Sequence, residues 1–310
     1  MIYTCTMNPA IDLFVEMDTF VADEVNRSKY EEYQPNGKGV NVSLILKQLN
    51  IESTALGFLG GFSGDFIKNE LDKIGVNNAF VEVDGITRIN TFVQSENGEF
   101  KIVNQGPVID GDAQDMLIST LQTLTDEDVL FVSGSLPRGV DHSILIQIAQ
   151  LSKAQGFKLI WDISDPVLKD LVKYRPYLIK PNIDEFREIF LEGRKTGEGE
   201  MVEAAESLID EGVENIIISN GGSGAWLINE NIVIEADAPE GTVVNTACSG
   251  DTLLATYYAV FKRTGDEKAA LKEAVAAGSS TAFRSGLTDF SDVKALMSEI
   301  NVIDHKRTEV

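Results

Sequence analysis

Along most of this chain, stretches of strand character are separated by helical stretches of about ten to fifteen residues, and that spacing leaves few folds open. β-Branched and aromatic residues mark MIYTCTM, STALGFLG, DVLFVSG, KLIWDIS, YLIKPN and ENIIISN as strands. Between them, NVSLILKQLN (41–50), FIKNELDKIG closed by Gly75, HSILIQIAQLSKAQG, IDEFREIFLE and AAESLIDEGV carry apolar residues at helical spacing, and the chain is expected to be helical from 250 onward. Two parallel strands can be joined only by a crossover of this length. The pattern therefore predicts an α/β fold, a mostly parallel central sheet flanked by helices on both faces. Ligands of such sheets bind beyond the C-terminal ends of the strands.

Two stretches break the rhythm. DLFVEMDTFVADEVNRSKYEEYQ (12–34) and TRINTFVQSENGEFKIVNQG (87–106) alternate in the β manner, and Asn97-Gly98 in the second reads as a hairpin turn. They are expected to form one small β-sheet lid over the ligand edge, the other reading being edge strands of the main sheet. The expected division is 1–11, 35–86 and 107–310 as the α/β core that binds nucleotide and substrate, with 12–34 and 87–106 as the lid.

Composition narrows the chemistry. The 310 residues, 43% of them hydrophobic, suffice for one large domain with an appendage. Forty-nine acidic residues against 26 basic ones give a net charge of −23, which argues against a broad basic surface for nucleic acid or anionic membrane. With no basic leader ahead of an apolar core and no apolar span, the expected location is cytoplasmic. Cys5 and Cys248 stand alone, without metal-site spacing, and the only histidines are His142 and His305, the latter in the polar tail DHKRTEV. His142 reads as a surface helix-start residue, so carboxylates are the favoured acid–base groups.

Neither GxxxxGK[ST] nor GxGxxG occurs, which removes the two commonest phosphate cradles. In their place PNGKGVNVS (35–43) sets Lys38 between Gly37 and Gly39 ahead of a helix, a point charge in a turn the backbone can bring close to a ligand, or simply a turn. TRIN puts Arg88 and Asn90 on one face of a strand. SGSLPRG (133–139) offers Ser133, Ser135 and Arg138 at a strand end, while LIKPNIDE (178–185) offers Lys180, Asn182 and Glu185, the last two also readable as a capping box. ISNGGSGAW (218–226) follows a strand with Ser219, Gly221 and Gly224, suited to a nucleotide phosphate or to a tight hairpin. NTACSGDTLLATYYA (245–259) carries Asp251 at the mouth of a helix, where it either complements the helix dipole or accepts a proton while the backbone amides grip an anion.

In their order, Gly-Lys-Gly, TRIN, GSLPxG, KPNxxE, SxGxxG and N-T-x-x-x-G-D resemble the ribokinase-like PfkB carbohydrate kinases over nearly the whole chain. MNPAID, FLGG, TRIN, GSLP and LIKPN look most like the 1-phosphofructokinase and tagatose-6-phosphate kinase branch. The resemblance implies a ribokinase-like fold and an ATP- and Mg²⁺-dependent kinase of a phosphorylated ketohexose, with fructose 1-phosphate first and tagatose 6-phosphate or fructose 6-phosphate as alternatives. A non-catalytic sugar-phosphate sensor and a kinase of unphosphorylated sugars or nucleosides are the other readings.

Carried over to this sequence, the resemblance makes Asp251 the base and the amides of Cys248, Ser249 and Gly250 the anion hole. Asp12 would hold sugar hydroxyls, with Gly37, Lys38, Asn41, Arg88, Asn90, Ser135 and Arg138 around the sugar phosphate. Lys180, Asn182, Ser219, Gly221, Gly224 and Gly278 would serve ATP, with Asn182 and Glu185 organising Mg²⁺ through water. A homodimer through the lid is a possible assembly. The chain departs from the family pattern at Pro35-Asn36, where AGGKG is usual, at Cys248-Ser249, where GAGD is common, and at Arg138, where a second proline is common.

Overall fold

The computed structural model describes residues 1–307. Its first strands are Ile2–Thr6 (β1), Ala10–Glu16 (β2), Tyr30–Asn36 (β3), Thr54–Leu59 (β4), Asn77–Asn78 (β5), Val81–Glu82 (β6), Arg88–Ser95 (β7) and Gly98–Ile102 (β8). Val129–Ser133 (β9), Lys158–Asp162 (β10), Leu178–Ile179 (β11), Asn215–Ser219 (β12), Ala225–Asn229 (β13), Val233–Ala236 (β14) and Val302–His305 (β15) follow. The main sheet runs β15-β14-β13-β12-β11-β10-β9-β1-β4-β5, with β6 also on β4. Every pair from β12 to β5 is parallel, as the spacing predicts, whereas β12 to β15 pair antiparallel.

Strand alternation explains why this sheet is buried on both faces. Leu130, Val132, Leu159, Trp161, Ile216 and Ile218 point into one apolar cluster, and Val129, Phe131, Ile160 and Ile217 into another on the opposite side. Each helical layer closes one of these clusters, so the strands read as continuous apolar runs. The second layer contains the Ser249–Thr264 and Glu267–Ala282 helices, whose Ala255, Ala259, Ala274 and Ala277 are fully or nearly fully buried and let the two axes approach. Gly278 belongs to that contact: a Cβ there would lie 3.1 Å from the Ser249 carbonyl oxygen.

Two expectations are corrected, and one helix stands where none was predicted. The C-terminal part is not helical throughout, because after the Val293–Met297 helix β15 adds an edge strand to β14. His305 thereby leaves the polar tail for the sheet, with Nε2 3.0 Å from Glu235 Oε2 and its ring against Trp226; Thr308, Glu309 and Val310 of that tail lie outside the described residues. A helix at Gly111–Leu121 escaped the sequence reading, although Asp110 caps it by accepting the Ala113 amide at 2.8 Å.

The irregular stretches form a separate four-stranded sheet in the order β3-β2-β7-β8, with β2 and β7 parallel and the outer pairs antiparallel. Its strands reach back to Ala10 and on to Asn36, and residues 17–29 are a connection rather than strand. The hairpin exists, but Glu96 and Asn97 are its central residues, one position earlier than the Asn-Gly pair suggests, because Ser95 pairs with Gly98. Asn97 ties it down by accepting the Ser95 hydroxyl at 2.7 Å and the Phe20 amide at 3.0 Å.

Candidate active site

The polar residues gather where the parallel strands end. β10 terminates in Asp162, a fully buried carboxylate, and β11 delivers Lys180 one residue past its end. Lys38 opens the Lys38–Gln48 helix directly after β3. Both ammonium groups donate to one oxygen of Asp162, at 3.0 Å from Lys38 and 3.2 Å from Lys180, while the other oxygen, Oδ2, is buried without a partner. Burial alone would push this carboxyl up, but the two cations outweigh it and hold Asp162 below the ordinary carboxylate range. Burial likewise opposes the charge on Lys38, yet Asp162 and Asp251 hold its pKa above the usual lysine value.

Asp162 was absent from the sequence reading. Its only local signal is an acid closing an apolar strand, KLIWD, at the end where ligands bind.

Asp251 completes the array. It sits in the first turn of the Ser249–Thr264 helix, 5% exposed, but caps nothing: Cys248 occupies the N-cap position with no side-chain cap bond. Its carboxylate accepts from Asn41 Nδ2 at 2.8 Å. Burial, then the neighbouring charge of Asp162, raises its pKa from 3.8 to about 6 against the opposing pull of Lys38. A carboxylate so tuned is ionised at neutral pH and nearer to it than an ordinary aspartate, which suits a proton acceptor.

The helix mouth differs from the expected three-amide anion hole. The Ser249 hydroxyl donates to the Thr246 carbonyl at 2.8 Å, and the Ser249 amide turns to the same oxygen at 3.4 Å. The Gly250 amide lies on the free turn, beside Lys180: a Cβ on Gly250 would come within 3.3 Å of Lys180 Nζ. Helix dipole and ammonium therefore converge on one spot, an arrangement whose field favours an anion.

The small sheet closes the site from the other side. Its register pairs Ala10 with Arg88 and Asn36, and Asp12 with Asn90 and Gln34, so Asp12, Asn36, Arg88 and Asn90 share one face. Asp12 accepts from Asn90 at 2.8 Å and from Asn36 at 2.6 Å, and burial raises its pKa despite both bonds. Arg88 is anchored through backbone carbonyls, at 2.7 Å to Asn8 and 3.4 Å to Asn104. It lines a cleft of about 660 Å³ with Asn8, Lys38, Ser135, His142 and Ser164. His142, expected only as a surface helix start, stands on the rim of that cleft, 2.8 Å from Asp165. Ser135 accepts from Asn8 at 3.3 Å.

Arg138 does not join this cleft. Its side chain is exposed, and its backbone carbonyl is held by the Ile109 amide at 2.8 Å, which turns the residue outward. Gly278 is buried against the helix mouth and touches packing atoms instead of lining an open nucleotide groove. Asn182 and Glu185 do form the capping box: the Asn182 side chain accepts the Glu185 amide and Glu185 Oε2 accepts the Asn182 amide, both at 2.8 Å. The other oxygen of Glu185 accepts the Ser164 hydroxyl, which ties the box to the cleft wall.

Ser219 bridges to Asn182 beside this box, and Gly221 and Gly224 form the turn between β12 and β13. Both glycines have positive φ, +52° and +97°, but only Gly224 is sterically locked, since a Cβ would meet the Ala236 oxygen at 1.9 Å. Gly224→Ala is expected to destabilise the fold by about 3 kcal/mol or more, and Gly221→Ala, with open space around it, by about 1 kcal/mol. Equal thermal shifts for the two variants would contradict this geometry.

Among the described residues no group of three or more histidine, cysteine or acidic side chains could hold a metal by itself. The oxygens of Asn182 and Glu185 already accept hydrogen bonds, and the unpartnered buried oxygens at these strand ends are Asp162 Oδ2 and Ser133 Oγ, on paired residues of β10 and β9. That donor set fits a hard cation carried on phosphate oxygens and reached from the protein largely through water.

A buried carboxylate in the first turn of a helix, beside two ammonium groups that share Asp162 and next to a polar cleft that Lys38 and Arg88 line, supplies the parts of a phosphotransferase that acts on a hydroxyl. The chain matches the family model described as pfkB family carbohydrate kinase over residues 5–294, and it belongs to that family. It is 46% identical to a D-tagatose-1-phosphate kinase of Bacillus licheniformis over 97% of this chain and 99% of that one. Identity to a 1-phosphofructokinase of Bacillus subtilis is 35%, again over 97% and 99%. The fold of phosphofructokinase-2 from Escherichia coli, solved with substrates and products, superposes with a TM-score of 0.90 at 24% identity, covering 96% of this chain and 98% of that one. The protein is thus a carbohydrate kinase of ribokinase-like fold.

Proposed function

We propose that this kinase transfers the terminal phosphoryl group of ATP to O6 of a ketohexose 1-phosphate, with fructose 1-phosphate as substrate and fructose 1,6-bisphosphate as product. The observation that carries the reading is the pairing of Asp251 with the Lys38–Asp162–Lys180 array at the end of a cleft that Arg88 lines. Asp251 accepts the proton of the 6-hydroxyl as the new O–P bond forms. Lys180 and the Gly250 amide stabilise the charge on the phosphoryl oxygens, with Cys248 and Ser249 shaping the turn that presents that amide. Ser219, Gly221 and Gly224 line the approach of the nucleotide.

Asp12 and Asn90 hold ring hydroxyls, while Arg88, Asn8 and Ser135 take the phosphate already on the sugar. A magnesium ion, when bound, neutralises phosphate charge, and Asn182 and Glu185 would hold its water shell. The small sheet acts as a lid that keeps water from accepting the phosphoryl group. Tyr33, Phe100 and Ile102, exposed on the sheet face opposite Asp12, support a homodimer formed through it. No helix among the described residues is long and apolar enough to cross a membrane, and we assign the enzyme to the cytoplasm.

A second substrate, tagatose 1-phosphate, is favoured by the name of the 46% identical relative. It stands ahead of tagatose 6-phosphate as the ketohexose alternative, because the names of both relatives point to a substrate with its phosphate on carbon 1.

ADP release should be measured with fructose 1-phosphate, tagatose 1-phosphate, tagatose 6-phosphate, fructose 6-phosphate and free fructose. One 1-phosphate should have the highest kcat/KM, and Arg88→Ala should raise its KM by roughly 100-fold, the worth of a charge-assisted phosphate contact, with the KM for ATP unchanged. An unaltered KM in the variant would point to a kinase of unphosphorylated sugars.

A further inference from the structure

Asn36 and Cys248 are 212 residues apart in the chain and meet in the site. Asn36 Nδ2 lies 3.7 Å from Cys248 Sγ. The same nitrogen donates to Asp12 at 2.6 Å, and the side-chain oxygen of Asn36, Oδ1, accepts from Asn41 Nδ2 at 3.1 Å. Asn41 in turn reaches Cys248 Sγ at 3.1 Å and Asp251 at 2.8 Å. A continuous polar chain therefore runs from Asn90 through Asp12, Asn36 and Asn41 to Asp251. The carboxylate proposed to hold the sugar is joined to the proposed base through Asn36, with the thiol packed against both amides.

The backbone marks the same spot. Cys248 has φ of +64°, a left-handed conformation that glycine adopts freely and a β-carbon-bearing residue only at a cost. Strain of this kind persists where the surroundings over-determine it, and it concentrates at ligand sites. Here both amides hold the thiol in place, while burial and then the Asp251 charge push its pKa up, keeping it a neutral, non-nucleophilic group. A glycine would remove the strain and leave a space beside the base.

We propose that Asn36 and Cys248 are the specificity-determining pair of this site and select the configuration at carbon 4 of the ketohexose 1-phosphate. The inference rests on the kinase reading above. Carbon 4 is separated from the accepting carbon 6 by carbon 5 alone, so groups that flank the base on the Asp12 side face the 4-hydroxyl. Fructose and tagatose phosphates differ only in where that hydroxyl points. Asn36 offers an amide donor and fixes the orientation of Asp12, and Cys248 fills the alternative position. Such a site accepts a hydroxyl in one direction and leaves buried polar groups unpaired when it points in the other, which discriminates more strongly than a change of apolar volume.

The test compares kcat/KM for fructose 1-phosphate and tagatose 1-phosphate in the wild type, Asn36→Gly, Asn36→Ser, Cys248→Gly and the double glycine variant. The ratio of the two values should shift by about tenfold or more in the double variant, with the single changes non-additive because the side chains touch. Loss of both activities by the same factor, leaving the ratio within about twofold of wild type, overturns the inference. Asn36→Ser keeps a polar side chain in the turn and decides the matter if a glycine variant misfolds. Should the wild type turn over neither ester, the kinase reading fails. Calorimetric affinities of the two esters for the same variants then decide the inference alone: a shifted affinity ratio upholds it, and an unshifted ratio or absent binding overturns it.

Discussion

Asp251→Asn is expected to cost on the order of 10² to 10⁴ in kcat, the worth of a positioned general base, and to make the protein more stable at neutral pH. Asparagine keeps the shape and can still accept from Asn41, so positioning survives and only the proton acceptor is lost. The stability gain follows from the same burial. A carboxyl whose folded pKa is raised binds its proton more tightly folded than unfolded. The stability it contributes is therefore complete below the unfolded value of 3.8 and is lost as pH rises through about 6. Above that range the ionised Asp251 burdens the fold by roughly 3 kcal/mol, an order-of-magnitude figure from the size of the rise. Asparagine carries no such burden. The variant should melt several degrees above wild type at about pH 7.5, and the gap should shrink toward about pH 4.5. An inactive variant with no stability gain at the higher pH would mean that Asp251 is not ionised at a desolvated site. For the wild type, kcat/KM should fall below about pH 6, where the base becomes protonated.

What the chain betrays locally explains which of these features could be read from it. The parallel sheet was legible because both of its faces are buried, so Val129 to Val132 and Ile216 to Ile218 appear as unbroken apolar runs at regular distances. Gly75 ended its helix where expected, in the left-handed conformation. The antiparallel edge was legible only in part: the hairpin reading of ISNGGSGAW matches the β12–β13 pairing, but AWLIN is as apolar as a parallel strand, and nothing local marked β14 and β15 as its continuation. Asp251, Lys38 and Arg88 stood out because each sits in a motif with glycine or alternation around it. Asp162 has no such frame, and its partner Lys38 lies 124 residues away, a relation that exists only after folding. Arg138 failed in the opposite sense. Its motif reached the right strand end, but which way an arginine projects from a loop depends on a distant contact, here the amide of Ile109.

Asp162 is also where the second large effect is expected, with the opposite sign of pH dependence from its neighbour. Asp162→Asn removes the one carboxylate that Lys38 and Lys180 share, leaving two ammonium groups with no fixed counter-charge between them, Lys180 being only 4% exposed. Breaking a buried pair in this way costs about 3–5 kcal/mol, so the variant should melt well below wild type. Because the folded pKa of Asp162 lies below its unfolded value, its contribution is present above the unfolded value and is lost only as pH falls through the folded one. The deficit of the variant should accordingly persist across neutral pH and close only in strong acid, whereas the opposite difference of Asp251→Asn narrows already between about pH 6 and 4. The substitution also removes the neighbouring negative charge that helps burial to raise the pKa of Asp251, while the two cations that lower it remain. The acid limb of kcat/KM should therefore move below about 6, even as kcat falls because Lys38 and Lys180 lose their anchor. A limb that stays at the wild-type position would assign the tuning of Asp251 to burial alone. A limb that moves down together with the loss of stability would make the four charges one device, in which Asp162 fixes both lysines and sets the proton affinity of the base.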